Sequence, residues 1–327
     1  MRAAVIGLGS MGKRRIRLLR KYDPTIEVIG IDHKEERRAS CEQEYGIETF
    51  ENIREGFMQV KIDCAFVCTS PLSHCGIITL CLEHGVHVFT ELNLVSDGYE
   101  KNIGLAREKQ RVLFLSSTFL YREEIKKIKS LVSNHASPLN YIYHIGQYLP
   151  DWHPWESYRD FFAGKKRSNG CREIFAIELP WLTETFGEIE AVITSKSRMS
   201  SLEIDYCDNY QVILRHASGC KGVLAVDVVS RKAVRNLEVI GEHIYLSWDG
   251  SPTGLYQYDY DVKKNRKIEL YEEIDQLDQY SSFVVENAYM NEIIEFFHLI
   301  SDGGEQAYGF EKDRKTLSLI DRIEDEC

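Results

Sequence analysis

Long apolar runs are missing from this sequence. No segment approaches the roughly 20 apolar residues that a helix needs to cross a bilayer, so no membrane span is expected. The start, Met1-Arg2-Ala3-Ala4-Val5-Ile6-Gly7, sets four apolar residues before its glycines, too few for a signal peptide. Positive charge is short as well. Lys and Arg number 40 against 51 Asp and Glu, a net charge of −11. Nucleic acid and anionic membranes need a basic footprint and are therefore excluded as main partners. A small anionic ligand needs only a local positive site. Cysteine motifs are absent too: nine scattered cysteines, an odd number, include no CxxC pair and no zinc-like Cys/His spacing. Cys64, Cys68, Cys75 and Cys81 lie in apolar stretches. They read as reduced thiols of a cytoplasmic protein, with no metal site. Repeats, low-complexity tracts and disordered linkers are not seen.

What is present fits a globular chain of two domains. Hydrophobic residues make up 43% and charged residues 28% of 327, a balance that supports packed cores, and the length exceeds one ordinary core. Up to about Ser117, short apolar runs alternate with amphipathic helical ones. Arg2–Ile6, Glu27–Ile31, Cys64–Cys68, His87–Thr90 and Val112–Ser116 read as strands. Gly12–Lys21, Glu35–Tyr45, Ser73–His84 and Gly98–Gln110 read as helices. Apolar strands alternating with helices imply a parallel sheet covered on both faces. The expected division is a nucleotide-binding domain over residues 1–118 and an α+β domain over 119–327. In the second part, helices are expected at Glu123–Ser133 and Cys171–Phe186. Strands are expected at Asn140–Tyr148, Glu190–Ser197, Tyr210–His216, Gly222–Ser230, Asn236–Gly241 and Ile244–Trp248. Their Gly and Asp turns suggest a large, mostly antiparallel sheet. Two helices, Ser282–Ile300 and Glu311–Ile323, close the pattern.

Gly7-Leu8-Gly9-Ser10-Met11-Gly12 lies between the first strand and the first helix, the context that gives GxGxxG its meaning. Gly7 permits the tight turn, Gly9 lets backbone approach a pyrophosphate, and Gly12 lets helix pack on strand. The helix N-terminus then offers N–H groups to phosphate. Asp32 ends the second strand 20 residues past Gly12, where a carboxylate can hold ribose hydroxyls. These residues predict a Rossmann doubly wound domain that binds NAD or NADP. Asp32 favours NAD, because a carboxylate repels a 2′-phosphate. His33 and Lys34 offer the opposite charge.

Further along come Cys68-Thr69-Ser70-Pro71 with His74, and then Gly85-Val86-His87-Val88-Phe89-Thr90-Glu91. This series resembles the glucose–fructose oxidoreductase / inositol dehydrogenase (Gfo/Idh/MocA) family, whose strings read roughly TPP-x-x-H and G-x-H-V-x-x-E-K-P. The likeness covers the nucleotide domain and continues more loosely through Thr118–Arg122 and Asn169–Gly187. It implies that Thr69, Ser70, Pro71 and His74 belong to the cofactor site and that Glu91 lies near the nicotinamide ribose. It also implies an open-faced sheet for substrate and subunit contacts, hence a homodimer or homotetramer.

Two family positions depart from the pattern. Glu91-Leu92-Asn93 stands where E-K-P is expected, and Ile177 falls where the catalytic helix carries its histidine, with Pro180 at the trailing aspartate. Leucine and isoleucine can neither stabilise an alkoxide nor move a proton. Glu173, one turn before Ile177, is the candidate acid; His153 in the aromatic segment Tyr148–Arg159 is the candidate base. Arg122, Trp152, Tyr158 and Arg172 are the candidate substrate contacts, and Pro180 is expected to bend or end its helix. The resulting expectation is an NAD(P)-dependent oxidoreductase that moves hydride to or from a sugar, nucleotide sugar or related polyol or keto compound. The alternatives are a catalytically attenuated binding or regulatory protein, or a reductase of an imine or conjugated substrate.

Overall fold

The computed structural model describes residues 1–154, 156–277 and 283–325. The chain forms two compact units: Met1–Ser117 with Tyr289–Arg314, and Thr118–Ala288 with the residues from Lys315 on. A single cut at residue 118 therefore misses the return of residues 289–314 to the first unit.

In the first unit the order is β1 (Arg2–Ile6), α1 (Ser10–Tyr22), β2 (Glu27–Ile31), α2 (Glu35–Tyr45), β3 (Glu48–Phe50) and α3 (Ile53–Gln59). It continues with β4 (Cys64–Val67), α4 (His74–Glu83), β5 (His87–Thr90), α5 (Tyr99–Lys109) and β6 (Leu113–Leu115). All strands are parallel, in the order β3-β2-β1-β4-β5-β6, the doubly wound arrangement expected from the alternating pattern. The order reverses between β1 and β4, and ligands of such sheets bind outside the carboxyl ends of the strands at this point. Every residue of β4 is buried, as a strand covered on both faces requires. β3 and α3 escape the apolar pattern, although Asn52 and Glu55 mark the helix start. Asn52 accepts from the Glu55 amide and Glu55 from the Glu51 amide, a variant of the capping box.

The second unit runs α6 (Glu123–Ser133), β7 (Asn140–Gly146), α7 (Gly170–Phe186), β8 (Ile189–Ser197), β9 (Asn209–His216), β10 (Lys221–Asp227) and β11 (Val234–Gly241). It continues with β12 (Ile244–Trp248), β13 (Leu255–Asp259) and β14 (Lys264–Lys267), before α8 (Glu286–Asp302) and α9 (Phe310–Asp325) end the chain. Ser282, where the sequence starts α8, lies outside the described residues. The eight strands form one sheet, β14-β13-β12-β11-β7-β10-β9-β8, antiparallel throughout except for the β7–β10 pair. α7 runs unbroken through Pro180. Pro180 does not end it, because nearly the whole helix is buried and packing holds it where one backbone bond is missing.

One face of this sheet carries the core. Tyr143 meets Trp181 of α7 and Tyr210 meets Phe175, edge to face at 5.5 and 5.4 Å between centroids. The other face holds a row of apolar residues directly opposite one another: Ile193, Ile213, Val223 and Ile142. They are 62, 45, 45 and 49% exposed. The edge strand β14 is Lys-Asn-Arg-Lys, exposed at each residue, a composition that discourages pairing with another strand.

Candidate functional site

The glycine turn follows β1 directly. Gly7 has φ +93°, a left-handed conformation, and a β-carbon there would lie 2.8 Å from the Cys68 carbonyl oxygen. At Gly12 a β-carbon would lie 1.9 Å from the Gly7 oxygen, so α1 and β1 approach as closely as glycine allows. Gly9 differs. Its β-carbon would meet only the Arg37 guanidinium, at 3.7 Å, and it caps α1 without a side chain. The turn is thus closed at Gly7 and Gly12 and open at Gly9, where Ser10 and Met11 begin the helix. A diphosphate fits this cradle, approaching backbone amides and the positive end of α1.

Asp32 closes the turn from β2. Its Oδ2 accepts from the Leu8 amide at 2.8 Å and its Oδ1 from the Lys34 amide at 2.9 Å. Arg37 Nη1 and His33 Nδ1 each stand 3.5 Å from the same carboxylate. Asp32 therefore sets the shape of the turn besides presenting charge beside it. Arg37 is a neighbour that the sequence reading does not single out.

Opposite, β4 delivers Thr69, Ser70 and Pro71. Ser73 Oγ donates to Thr69 Oγ1 at 2.8 Å and lies 2.7 Å from the Ser70 carbonyl. His74 is buried between the Thr69 carbonyl and the Asn93 side chain. Burial lowers its basicity. Glu91, at the end of β5, accepts from Arg15 Nε at 2.6 Å. Arg15 is wholly buried and also holds Glu292 of α8 at 2.8 Å. Burial raises the Glu292 carboxyl, Arg15 acting against it. Glu292 in turn accepts from Ser116 Oγ and the Ser117 amide. Arg15 and Glu292 carry no motif signal; their pairing joins positions 277 apart in sequence.

In the second unit, α7 starts at Asn169, whose side chain accepts from the Arg172 amide. Over its first three turns every residue is buried except Glu173 and Ile177, which are half-buried. They share one stripe, as four-residue spacing requires. Glu173 Oε2 is cut off from solvent and has no hydrogen-bond partner, and burial pushes the carboxyl up to about 8. At neutral pH it therefore holds its proton.

The other sequence candidates have partners within the fold. Arg172 pairs with Asp321 at 2.6 Å and with Glu324, its side chain 7% exposed. Its guanidinium clasps α7 to α9 rather than standing open to a substrate. Arg122 is buried against Glu124, donates to the Phe283 and Gly250 carbonyls, and faces the Trp248 ring. It too holds the unit together. His153 Nδ1 pairs with Glu156 at 2.7 Å, and its ring lies 3.8 Å from that of Phe161. Trp152 donates to the Gln147 carbonyl at 3.2 Å, and its ring lies where a β-carbon at Gly170, the start of α7, would come within 3.2 Å of it. Tyr158 accepts from the Glu203 amide at 3.1 Å. A second pair, His144 Nε2 and Asp227 Oδ2 at 2.8 Å, sits on the outer face of the sheet and has no counterpart in the sequence reading. Among the described residues no helix is long and apolar enough to cross a membrane, and no cluster of acids, histidines and cysteines could hold a metal ion.

A dinucleotide cradle at the switch point of a parallel sheet, joined to a large antiparallel sheet, defines a two-domain nucleotide-dependent enzyme class. Residues 1–117 match the family described as "Oxidoreductase family, NAD-binding Rossmann fold" (Gfo/Idh/MocA). Myo-inositol 2-dehydrogenase of Thermotoga maritima is 24% identical, over 98% of this chain and 94% of its own. Over residues 1–117 the chain is thus similar to the NAD-binding domain of the Gfo/Idh/MocA oxidoreductases, and its likeness to the inositol dehydrogenase runs through nearly its whole length. Two solved structures share its fold. An oxidoreductase from Agrobacterium radiobacter in complex with NAD+, L-tartaric acid and magnesium has a TM-score of 0.82 at 13% identity, covering 98% of this chain and 94% of that one. UDP-N-acetylglucosamine 3-dehydrogenase from Acidithiobacillus ferrooxidans has 0.75 at 17%, covering 99% and 96%.

Proposed function

We propose that this oxidoreductase moves a hydride between NAD(H) and a carbon-bound oxygen of a sugar, nucleotide sugar or related polyol. The observation that carries the reading is the cradle closed at Gly7 and Gly12 and open at Gly9, with Asp32 beside it. Gly9, Ser10 and Met11 would hold the diphosphate, and Thr69, Ser70, Pro71 and Glu91 the remaining cofactor contacts. NAD supplies the hydride chemistry when bound. The Asp32 carboxylate favours NAD over NADP by repelling a 2′-phosphate, although Arg37 and His33 near it moderate the repulsion. Inositol and UDP-N-acetylglucosamine dehydrogenases among the similar proteins support the substrate class.

Reduction of a carbonyl leaves an alkoxide that needs a proton. Leu92 and Ile177 cannot supply one; Glu173 holds one at neutral pH. In this reading Glu173 is the acid for reduction and, once ionised, the base for oxidation. Reduction is then fast below about pH 8 and falls above it, whereas oxidation rises toward about pH 8. The test is a screen of NAD(H) and NADP(H) turnover against sugars, polyols and nucleotide sugars. Tight NADH binding without turnover on any of them favours the attenuated binding protein instead. That second reading rests on the apolar Leu92 and Ile177, and in it Leu92→Lys with Ile177→His creates activity.

The outer sheet face supports a homo-oligomer, because Ile193, Ile213, Val223 and Ile142 form an exposed apolar row across four strands. Light scattering on Ile213→Lys/Val223→Lys tests this: monomers are expected, and an unchanged mass sinks the idea. Unpaired cysteines throughout the described residues support a reducing, cytoplasmic location.

A further inference from the structure

His74 opens α4 and is 2% exposed. Its Nε2 stands 2.9 Å from the Thr69 carbonyl and its Nδ1 2.7 Å from Asn93 Oδ1, with Thr90 Oγ1 at 3.3 Å. A carbonyl only accepts, so Nε2 carries a proton. A buried, neutral ring then leaves Nδ1 bare, and its partner has to donate. With the Asn93 oxygen toward the ring, Asn93 Nδ2 is buried without a well-formed hydrogen bond, its polar influence being on the Tyr99 hydroxyl. Turning the amide over places Nδ2 on Nδ1, which satisfies the ring and removes the orphaned donor together. The imidazole thus ties two separate loops: Thr69 leaves β4, and Glu91-Leu92-Asn93 leaves β5.

We propose that His74 and Asn93 form a positioning pair that braces the loop after β4 against the loop after β5, so that Thr69 and Glu91 meet one cofactor at a fixed separation. The proposal rests on the dinucleotide reading above. Neither side chain touches the cofactor in it; both act through the loops they join. Alanine at 74 leaves the Thr69 carbonyl and the Asn93 amide without their shared partner and frees the loops from each other.

The test is a titration of NADH fluorescence on the full chain, with melting temperature recorded for each variant. His74→Ala is expected to weaken NADH about tenfold, the size of one or two lost hydrogen bonds. Asn93→Ala should weaken it less, and the double variant should be no worse than His74→Ala, because both remove the same brace. His74→Gln keeps an N–H for the Thr69 carbonyl and should recover part of the loss. Wild-type affinity in a folded His74→Ala, or additive losses in the double variant, overturns the proposal. If His74→Ala does not fold, wild-type affinity in both His74→Gln and Asn93→Ala overturns it equally. A wild-type chain that binds no NADH sinks the dinucleotide reading itself, a different failure from a variant that binds as well as wild type.

Discussion

α1 and α7 begin in opposite ways. α1 is capped by Gly9, which brings no side chain to its first amides. α7 is capped by Asn169, which does, and its first turn is fastened to α9 through Arg172. A helix start meant to receive an anion has to be left open by its own sequence, and glycine does this without filling the space. α7 spends its N-terminus on itself, and offers instead one half-buried stripe bearing Glu173 and Ile177. The first region is built for charge that arrives from outside; the second keeps a carboxyl neutral by withholding water from it.

The contrast can be broken most sharply at Glu173. Glu173→Gln should lower turnover by about two to four powers of ten and leave NADH affinity, set at α1, unchanged. Steady-state kinetics beside a binding titration would show this, and full turnover in the variant would make the α7 stripe as inert as its isoleucine. Gly12→Ala should do the converse. Its methyl group meets backbone, so overpacking should cost about 1–3 kcal/mol of stability in a denaturant titration, with NADH affinity falling by calorimetry because the glycine turn has to shift to make room. Gly9→Ala sharpens the point: melting should be unaffected while NADH affinity drops, since the room it fills is the ligand's. Arg172→Ala should cost about 1.5–3 kcal/mol of stability in a denaturant titration, with no change in substrate KM, since its guanidinium is committed to Asp321 and Glu324.

A smaller effect follows from the raised Glu173 carboxyl. The unfolded chain releases this proton near its ordinary value of 4.5, whereas the folded chain keeps it until about 8. Stability from this group is thus whole below about pH 4.5 and declines as pH rises to about 8. Glu173→Gln should melt higher than wild type at pH 8 and like it near pH 4.5. Equal melting temperatures at both would mean that the carboxyl is solvated.

The nucleotide domain was legible because each of its parts is local. Gly7, Gly9 and Gly12 announce a turn, Asp32 follows at a set distance, and apolar strands alternate with helices. Most of the second sheet was legible from period-two strands, but β13 and β14, at one end of the sheet, were not, because segments rich in Tyr, Lys and Asp lack that alternation. The α7 site was legible only in part. Glu173 can be found by its spacing from Ile177, but its neutrality depends on what surrounds it. Arg122 and Arg172 read as substrate contacts, yet their partners, such as Gly250 and Glu324, are fixed by tertiary packing that no spacing rule reports. The same holds for Arg15, Glu292 and the outward apolar row of Ile193, Ile213, Val223 and Ile142.

The return of α8 to the first unit has a consequence for synthesis. Phe296 lies edge-on to Phe66, Phe89 and Phe114, and Glu292 reaches Arg15 from 277 residues downstream. At about 5–20 residues per second, translation needs roughly 14–55 s to travel from one to the other. During that interval the β4–β6 side of the sheet waits for its cover, and Arg15 waits for its second carboxylate. The nascent cofactor unit therefore matures late, after the whole antiparallel sheet has been made, although nearly all of its recognisable sequence emerges first.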